Sequence, residues 1–578
     1  MKSIRFSRSP LLFDRLPLWR QRLVLGLLLC SFATLIGRAL YLQGINNEFL
    51  GDKGRARFER VIDISATRGR ITDRHNEVLA VSTPVRSIWA IPEDARLTPA
   101  QARDLAQLLD LDLRELNRKL ASEQDFVYLK RQLPPELADR VTEMKLPGVH
   151  QKNEYRRYYP AGEVMAHMLG FTGVEDNGQE GIELAFNSQL SGKPGSRRVI
   201  KDRRGNVVED VESVNPPQEG KDITLSLDSK VQYLAYSFLK QAIEENRAKA
   251  GGVVVLDART GEILALANLP TYNPNNRTKL IGAQLRNRAL TDTFEPGSTL
   301  KPFTAALALE KGKVRFNTPI QTAPGYMTIG SATISDAHPH GVLTVAQVIQ
   351  KSSNVGAAKL ALSMPAEEMW SMFDSIGFGT PLKLGFPGEA GGRLRPAKSW
   401  KPIEQATMSY GHGISVTLIQ LARAYQAFAR DGDLLSLQLL KSDGLPLNGK
   451  PVFAAQTARE VRIMLEMAVQ PGGTAPKAQI PGYRVAGKTG TAHKLEGGAY
   501  ANKYVSSFVG FAPVSDPRLI VAVMIDEPSA GKHYGGEVAA PVFAKVMGGS
   551  LRTLGVAPDA PLAPLPGEKN EPPVKEEM

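Results

Sequence analysis

Leu23 to Gly37 is an uncharged, mostly apolar run that Arg38 interrupts before Ala39-Leu40-Tyr41-Leu42 resumes it. About twenty helical residues cross a bilayer, and an arginine near the end can lift its guanidinium to the headgroups, so the pattern predicts one membrane-spanning helix over residues 23–43. Lys2, Arg5, Arg8, Arg15, Arg20 and Arg22 precede it against a single Asp14. That bias predicts a cytoplasmic flank over 1–22 and an extracytoplasmic remainder. Ser31-Phe32-Ala33 has the small-x-small form of a signal-peptidase site, and Cys30 allows a lipid-anchor reading. An apolar stretch that carries on past Ala33, and bulky Leu29 before the cysteine, favour an uncleaved anchor.

From Asn46 to about Gly220 the pattern is mixed: short β-like runs, a polar helical stretch from Pro99 to Ser122, and loops at Pro194-Gly195 and Pro216 to Gly220. With no paired carboxylates, metal spacing or nucleophile motif, residues 44–221 read as a pedestal and partner-binding module. After it, Asp222 to Leu227 predicts a short strand, and Ser229 to Lys249 a helix carrying Val231, Leu234, Phe238 and Ile243. Gly252 to Leu256 and Ile263 to Ala267 flank Asp257-Ala258-Arg259-Thr260-Gly261-Glu262, a hairpin signal. The run at Lys488 and the apolar runs Tyr504 to Ala512 and Leu519 to Ile525, the last two joined by a turn at Pro513 to Arg518, read as three more antiparallel strands. One antiparallel sheet with helices between its strands in sequence predicts an α+β domain over 222–557. The tail, 558–578, is rich in proline and charge and is predicted to be disordered.

With 578 residues and 42% apolar content the chain has room for two or more ordinary domains. Its one cysteine, Cys30, excludes an internal disulfide. Net charge is +12, yet six of the cations belong to the N-terminal flank and no nucleic-acid motif appears, so Arg197-Arg198 and Lys201 to Arg204 read as solvated faces or contacts to an anionic partner. No His/Cys/Asp/Glu set has zinc spacing, and neither a metal nor another cofactor is expected.

The chemistry lies in three strings in fixed order: Ser298-Thr299-Leu300-Lys301, Ser352-Ser353-Asn354 and Lys488-Thr489-Gly490. They supply a serine nucleophile, a lysine about one helical turn away to take its proton, a second hydroxyl with an amide, and a cation for a carboxylate, which is the set used for acyl transfer through a serine ester. Phe294-Glu295-Pro296-Gly297 before Ser298 and Lys301 to Glu310 after it predict a helix beginning at the serine, with Leu300, Phe303 and Leu307 on one apolar face. Pro302 suits that start. Ser529-Ala530-Gly531-Lys532 repeats the spacing in a loop, and Ser213 to Asn215 repeats the second string without its context. An ordinary lysine is protonated at neutral pH, so Lys301 needs burial or a neighbouring cation, for which Lys488 is placed. Ser352 reads either as a proton donor to the leaving amine or as a helix cap. In an empty cleft an unpaired Lys488 is costly to bury, which predicts a partly open, water-accessible site. His412, between Gly411 and Gly413, reads as a loop or packing residue rather than a base.

Glu295-Pro296-Gly297-Ser298 with Lys301-Pro302, Lys351-Ser352-Ser353-Asn354-Val355-Gly356, Tyr410-Gly411-His412-Gly413 with Val416-Thr417 and Gln420-Leu421-Ala422, and Gly487-Lys488-Thr489-Gly490-Thr491 resemble the transpeptidase domain of class B penicillin-binding proteins. Arg68-Gly69-Arg70-Ile71-Thr72-Asp73-Arg74, Arg157-Tyr158-Tyr159-Pro160-Ala161-Gly162, Gly181-Ile182-Glu183 and Asp202-Arg203-Arg204-Gly205 are similar to the non-catalytic, dimerisation-type N-terminal module of that class. One departure is His75-Asn76, where the family usually has the tight-turn pair Asn-Gly.

The resemblance implies a serine β-lactamase-like domain with a central five-stranded antiparallel sheet, preceded by an elongated mixed α/β pedestal and one transmembrane helix. It implies a D,D-transpeptidase of septal peptidoglycan synthesis, acting on D-Ala-D-Ala stem peptides as donor and acceptor and inhibited by β-lactams, with carboxypeptidation as a related activity. Ser298, Lys301, Ser352, Asn354 and Lys488 would be catalytic; Thr489, Gly490 and Thr491 would bind substrate, the N–H of Thr491 joining that of Ser298 as the oxyanion donors. The same resemblance implies a bacterial inner-membrane location with the catalytic domain periplasmic, a membrane glycosyltransferase of the FtsW type and other divisome proteins as partners, and no nucleic acid. Alternatives are a side-wall transpeptidase, a β-lactamase, for which Glu367, Glu368 and Glu389 lack the needed context, and a non-catalytic penicillin receptor.

Overall fold

The computed structural model describes residues 17–45, 59–201, 207–442 and 448–561. Its contacts divide the chain into two compact units.

One unit holds the described residues up to Ala66 together with Lys193–Gln218. Its helix, Leu18–Leu40, continues as one wider turn over Tyr41–Ile45. Within Leu18–Gln43 an 18-residue window has a mean hydropathy of 2.1 and is not buried against protein, which suits a helix solvated by lipid. Strands Glu59–Ile64, Gly195–Lys201 and Val207–Asn215 form an antiparallel sheet with Gly195–Lys201 in the middle. Ser213 and Asn215 belong to this sheet. The Lys201 to Arg204 stretch falls at or beyond the limit of the described residues.

The second unit holds Thr67–Gly192 and the described residues from Glu219 onward. In its first part Val78–Ala90 pairs with Val127–Leu133 on one side and Val149–Tyr158 on the other. Helices Pro99–Leu108, Leu113–Leu120 and Pro135–Glu143 bury Leu105, Leu116 and Val141 with Ile88 and Leu129. The helical stretch read from Pro99 to Ser122 breaks in two because Asp110 takes φ +50° and Asp112 caps the second piece by accepting from the N–H of Arg114 and Glu115. At His75-Asn76 the tight turn survives the missing glycine. Asn76 adopts φ +66°, which asparagine tolerates, and the Asp73 carboxylate accepts from the N–H of His75 at 2.8 Å and of Glu77 at 2.9 Å.

Three of the family-like strings meet at one buried carboxylate. Arg68 Nε and Arg157 Nε each lie 2.6 Å from an oxygen of Glu183, all three side chains being buried. Neither oxygen lacks a charged donor, the condition under which such a group is tolerated in a core.

The central sheet runs Ile263–Leu269, Ala250–Asp257, Leu519–Asp526, Ala499–Ala512, Ala486–Glu496, antiparallel throughout. Both faces are covered. Val253, Val255, Val521 and Val523 pack with helices Ser229–Glu245 and Ala540–Thr553, whereas Val254, Leu256, Ile520 and Ala522 pack toward the helices that carry the serines. Burial of alternate residues on opposite faces explains why these strands read as near-continuous apolar runs. The strand read at Asp222 to Leu227 shrinks to Ile223–Thr224, and the helix from Ser229 stops at Glu245. Beyond Thr553 the chain is tied back through Asp559, which accepts from Arg484 N at 2.7 Å and Ser515 Oγ at 2.9 Å. Residues 562–578, most of the tail read as disordered, lie outside the described residues.

Candidate active site

Ser298 stands on a 3-10 turn, Gly297–Leu300, that feeds the α-helix Lys301–Glu310. The α-helix thus begins three residues later than the sequence predicts. Gly297 takes φ +58°, Thr299 Oγ1 donates to Pro296 O at 2.8 Å, and the Tyr425 hydroxyl donates to Thr299 O at 2.8 Å. These bonds tighten the turn from outside the local sequence. The helix is not a one-faced stripe either: every residue from Lys301 through Ala308 is buried, and Phe303 packs against the rings of Phe378, Tyr425 and Phe428. Pro302 occupies its first turn.

Lys301 is 1% exposed. Its Nζ lies 2.9 Å from Ser298 Oγ, 2.5 Å from Ser352 O and 3.0 Å from Ser352 Oγ. A neutral amine has two N–H bonds and one lone pair; the two oxygens of Ser352 suit the hydrogens, and the lone pair is left for the Ser298 hydroxyl proton. Burial drives this amine well below its ordinary range, the charge of Lys488 adds in the same direction, and Asp336 opposes both.

Ser352 ends the helix Val345–Lys351 in the left-handed region, at φ +60° and ψ +39°, a conformation that costs a non-glycine residue energy and recurs at functional sites. Helix capping falls instead to its neighbour. Ser353 Oγ accepts from Gly356 N at 2.9 Å, starting the helix Asn354–Leu362 and leaving the Ser352 hydroxyl between two lysines. Asn354 Nδ2 donates to Ser335 O at 2.8 Å.

Lys488 lies on the edge strand Ala486–Glu496. The expectation that water reaches it is corrected: the side chain is 0% exposed. Its Nζ lies 3.0 Å from Ser352 Oγ, 3.3 Å from Thr489 O and 3.2 Å from Thr489 Oγ1. Three oxygens solvate it without a counter-charge, and burial brings its pKa down to about 7, so losing the proton relieves the cost of burying it. Thr489 Oγ1 in turn meets Thr474 Oγ1 at 3.1 Å.

Gly490 lets the serine turn approach the edge strand, since a Cβ there would sit 2.7 Å from Pro296 O and 2.4 Å from Ser507 Oγ. Thr491, half-buried, accepts from Gly535 N at 3.0 Å through Oγ1. A Cβ on Gly297 would lie 3.3 Å from Thr491 O and 3.5 Å from Thr491 N, so the backbone of Thr491 runs beside the serine turn. Ser298, Lys301, Ser352, Lys488 and Thr489 are thus joined by hydrogen bonds, Gly490 and Thr491 run beside the serine turn, and Asn354 is held apart by Ser335 and Asp336.

His412 packs between Tyr410 and Tyr500, ring centroids 5.2 and 6.0 Å away. Burial, with the charges of Lys301 and His493, holds it down to about 4, so it is a neutral packing group. Ser529 donates to Arg247 O from a loop. Glu368 pairs with Lys311 and Glu389 accepts from Leu384 N; neither bonds to the serines.

Asp336 was not legible from sequence. Its carboxylate accepts from Ser353 Oγ at 2.7 Å, Asn354 N at 2.5 Å and Val355 N at 3.0 Å, satisfying the free N–H groups at that helix start. It arrives from a loop sixteen residues before Ser352 and carries no motif of its own. Glu295 accepts from Gly413 N at 2.8 Å and from the Tyr500 hydroxyl at 3.1 Å, tying the segment before the serine to the loop at Gly413 and to the strand Ala499–Ala512.

Residues 251–548 match the family described as penicillin binding protein transpeptidase domain, and residues 63–225 match that described as penicillin-binding protein dimerisation domain. The chain is 47% identical to the probable peptidoglycan D,D-transpeptidase PenA of Neisseria gonorrhoeae, covering 92% of each chain. It is 43% identical to the peptidoglycan D,D-transpeptidase FtsI of Escherichia coli K12, over 96% of this chain and 94% of the relative. Among solved structures, the apo TP domain of Burkholderia pseudomallei penicillin-binding protein 3 is 52% identical, with a TM-score of 0.54, covering 58% of this chain and 98% of that one. A serine-lysine pair on a helix start, facing a lysine strand at the edge of a five-stranded sheet, is what these matches lead one to look for, and the chain belongs to the penicillin-binding protein transpeptidase family, in the class that also carries the dimerisation domain.

Proposed function

We propose that this protein is a peptidoglycan D,D-transpeptidase that cross-links stem peptides through an ester on Ser298. The observation that carries the reading is the buried Lys301 amine 2.9 Å from the Ser298 hydroxyl, a serine paired with a base whose pKa burial lowers well below the ordinary lysine value.

In acylation Ser298 Oγ attacks the penultimate D-Ala carbonyl while Lys301 takes its proton. The N–H groups of Ser298 and Thr491 hold the oxyanion, an interaction whose loss typically costs about 2.7–4 kcal/mol. The C–N bond then breaks, Ser352 protonates the leaving D-Ala amine, and the proton on Lys301 returns to Ser352 across their 3.0 Å contact. Lys488, Thr489 and Thr491 receive the terminal carboxylate, which supplies the anion Lys488 lacks, and Gly490 leaves room for the close approach. Asn354 hydrogen-bonds a donor amide. An acceptor amine attacks the ester to form the cross-link; water in its place gives carboxypeptidation. A β-lactam acylates the same serine, and the adduct persists because, among the described residues, no carboxylate hydrogen-bonds to the Ser298 or Ser352 hydroxyl to activate water.

The helix Leu18–Leu40 anchors the chain in the inner membrane, N-terminus cytoplasmic and catalytic domain periplasmic, and residues 44–221 are a non-catalytic module. Identity to FtsI supports a septal role, with a membrane glycosyltransferase of the FtsW type and other divisome proteins as partners. The test is peptide mapping after benzylpenicillin treatment: an adduct on Ser298, absent from Ser298→Ala, is expected, and an adduct on any other side chain overturns the proposal.

A further inference from the structure

A cavity of about 360 Å³ shares no lining residue with the cleft around Ser298. Its walls come from two stretches of chain: residues between 167 and 184, inside the part matched as the dimerisation domain, and residues between 272 and 388, inside the transpeptidase domain. The volume lies within the range of about 300–1,000 Å³ in which small molecules are held. Phe386 is buried and Leu184 is 41% exposed, so with Leu285 and Pro387 apolar surface runs from the floor of the cavity to its mouth.

The donor side chains in these walls already have acceptors. Arg286 donates to Asp292 at 2.6 Å, and the Thr291 hydroxyl donates to the same carboxylate at 3.0 Å. Asn287 Nδ2 donates to His167 O at 3.2 Å, and the Tyr272 hydroxyl to Ala166 O at 3.0 Å. Two acceptors are left without a donor. Glu180 makes no side-chain hydrogen bond or ion pair among the described residues, and burial alone raises its pKa, the mark of a carboxylate without a cation. His167 is buried, held down to about 4 by that burial and therefore neutral; its Nε2 lies 2.7 Å from Gln284 O. A carbonyl only accepts, so Nε2 carries the proton and Nδ1 keeps a lone pair, to which no described residue donates.

Both acceptors belong to one wall. A Cβ on Gly181 would sit 2.7 Å from Met168 O and 2.5 Å from Gly170 N, and one on Gly170 would sit 1.9 Å from Glu180 O. The backbone at Glu180-Gly181 therefore lies against the short helix Ala166–Leu169 that carries His167. An anion is repelled by Glu180. A calcium ion finds one carboxylate among apolar side chains in place of the about six or more oxygens that hold it. What fits is a cation that brings its own hydrogens, on a body that covers the leucines and Phe386.

We propose that this cavity binds a small organic cation, an ammonium on an apolar body, with the Glu180 carboxylate and His167 Nδ1 accepting its hydrogens and Leu184, Leu285 and Phe386 packing its apolar part. The site is separate from acyl transfer and does not depend on the transpeptidase reading. Because both matched regions supply walls, the ligand binds only where the two are packed together and stabilises that junction by mass action.

The experiment uses the detergent-solubilised full chain and two probes of nearly equal shape, para-fluorophenethylamine and para-fluorophenethyl alcohol, whose dissociation constants are read by fluorine NMR titration. The wild type is expected to bind the amine about tenfold or more tightly than the alcohol, the range of one charged hydrogen bond. Glu180→Gln should erase most of that ratio, His167→Phe part of it, and Leu184→Trp, which fills the mouth, should weaken both probes together. Loss of folded protein cancels in each ratio, and partition into micelles is common to all variants. No saturable binding of the amine, equal constants for the two probes in the wild type, a ratio that Glu180→Gln leaves unchanged, or affinities that Leu184→Trp leaves unchanged would each overturn the proposal.

Discussion

Lys301 and Lys488 share one hydrogen-bond partner: the Ser352 hydroxyl lies 3.0 Å from each amine. Two buried lysines on one hydroxyl cannot both stay charged without a large cost, because like charges in a desolvated site disfavour each other's ionisation. Among the described residues no carboxylate contacts either amine, and both pKa values are lowered, which favours deprotonation.

Replacing Lys488 should therefore move the titration of Lys301. In Lys488→Met the neighbouring positive charge is gone, Lys301 keeps its proton to a higher pH, and the acid limb of the benzylpenicillin acylation rate shifts upward in pH. Stability responds as well. Lys488 titrates near 7 in the folded chain against an ordinary 10.5, so between those values the unfolded chain binds the extra proton and wild-type stability rises with pH. Lys488→Met should flatten that rise and unfold at a higher temperature near neutral pH, which thermal denaturation at pH 6 to 10 reads out.

Asp336 should act in the opposite sense on the same group. Its charge favours protonated Lys301, so Asp336→Ala is expected to shift the acid limb downward. The variant also strips three donors of their acceptor at the start of helix Asn354–Leu362, a loss of about 1–3 kcal/mol by urea denaturation. Acylation should slow because the segment Ser353 to Val355, which follows Ser352, is no longer held.

How far the molecule could be read without its coordinates differs by level. The five strands were legible because Val253 to Leu256 and Leu519 to Ile525 are buried on both faces and glycine or proline marks their ends. The order of the three motifs was legible because each carries its own chemistry. Hidden were the features set by partners distant in sequence: the 3-10 turn at Ser298, held by Tyr425; the burial of Lys488, closed over by Ser352 and Thr489; and the role of Ser353 as the cap, which two adjacent serines leave ambiguous until Asp336 is seen to bind one of them.

Gly411 marks the tightest backbone approach to the nucleophile. It takes φ +85°, and a Cβ there would sit 2.3 Å from Gly297 O and 2.4 Å from Gly297 N. Since backbone on both sides must move, Gly411→Ala should cost more than about 1 kcal/mol of stability, with a greater proportional loss in acylation rate. Equal acylation in wild type and variant by stopped-flow measurement would show that the serine turn tolerates the shift.

The central claim, that Ser298 is activated by an amine whose pKa burial lowers well below the ordinary lysine value, is tested most directly by the pH dependence of the wild-type acylation rate with benzylpenicillin. A rate that levels off well before pH 10 is expected, its acid limb lying well below the ordinary lysine range. A rate that keeps climbing to about pH 10, as an unperturbed lysine base requires, would contradict it.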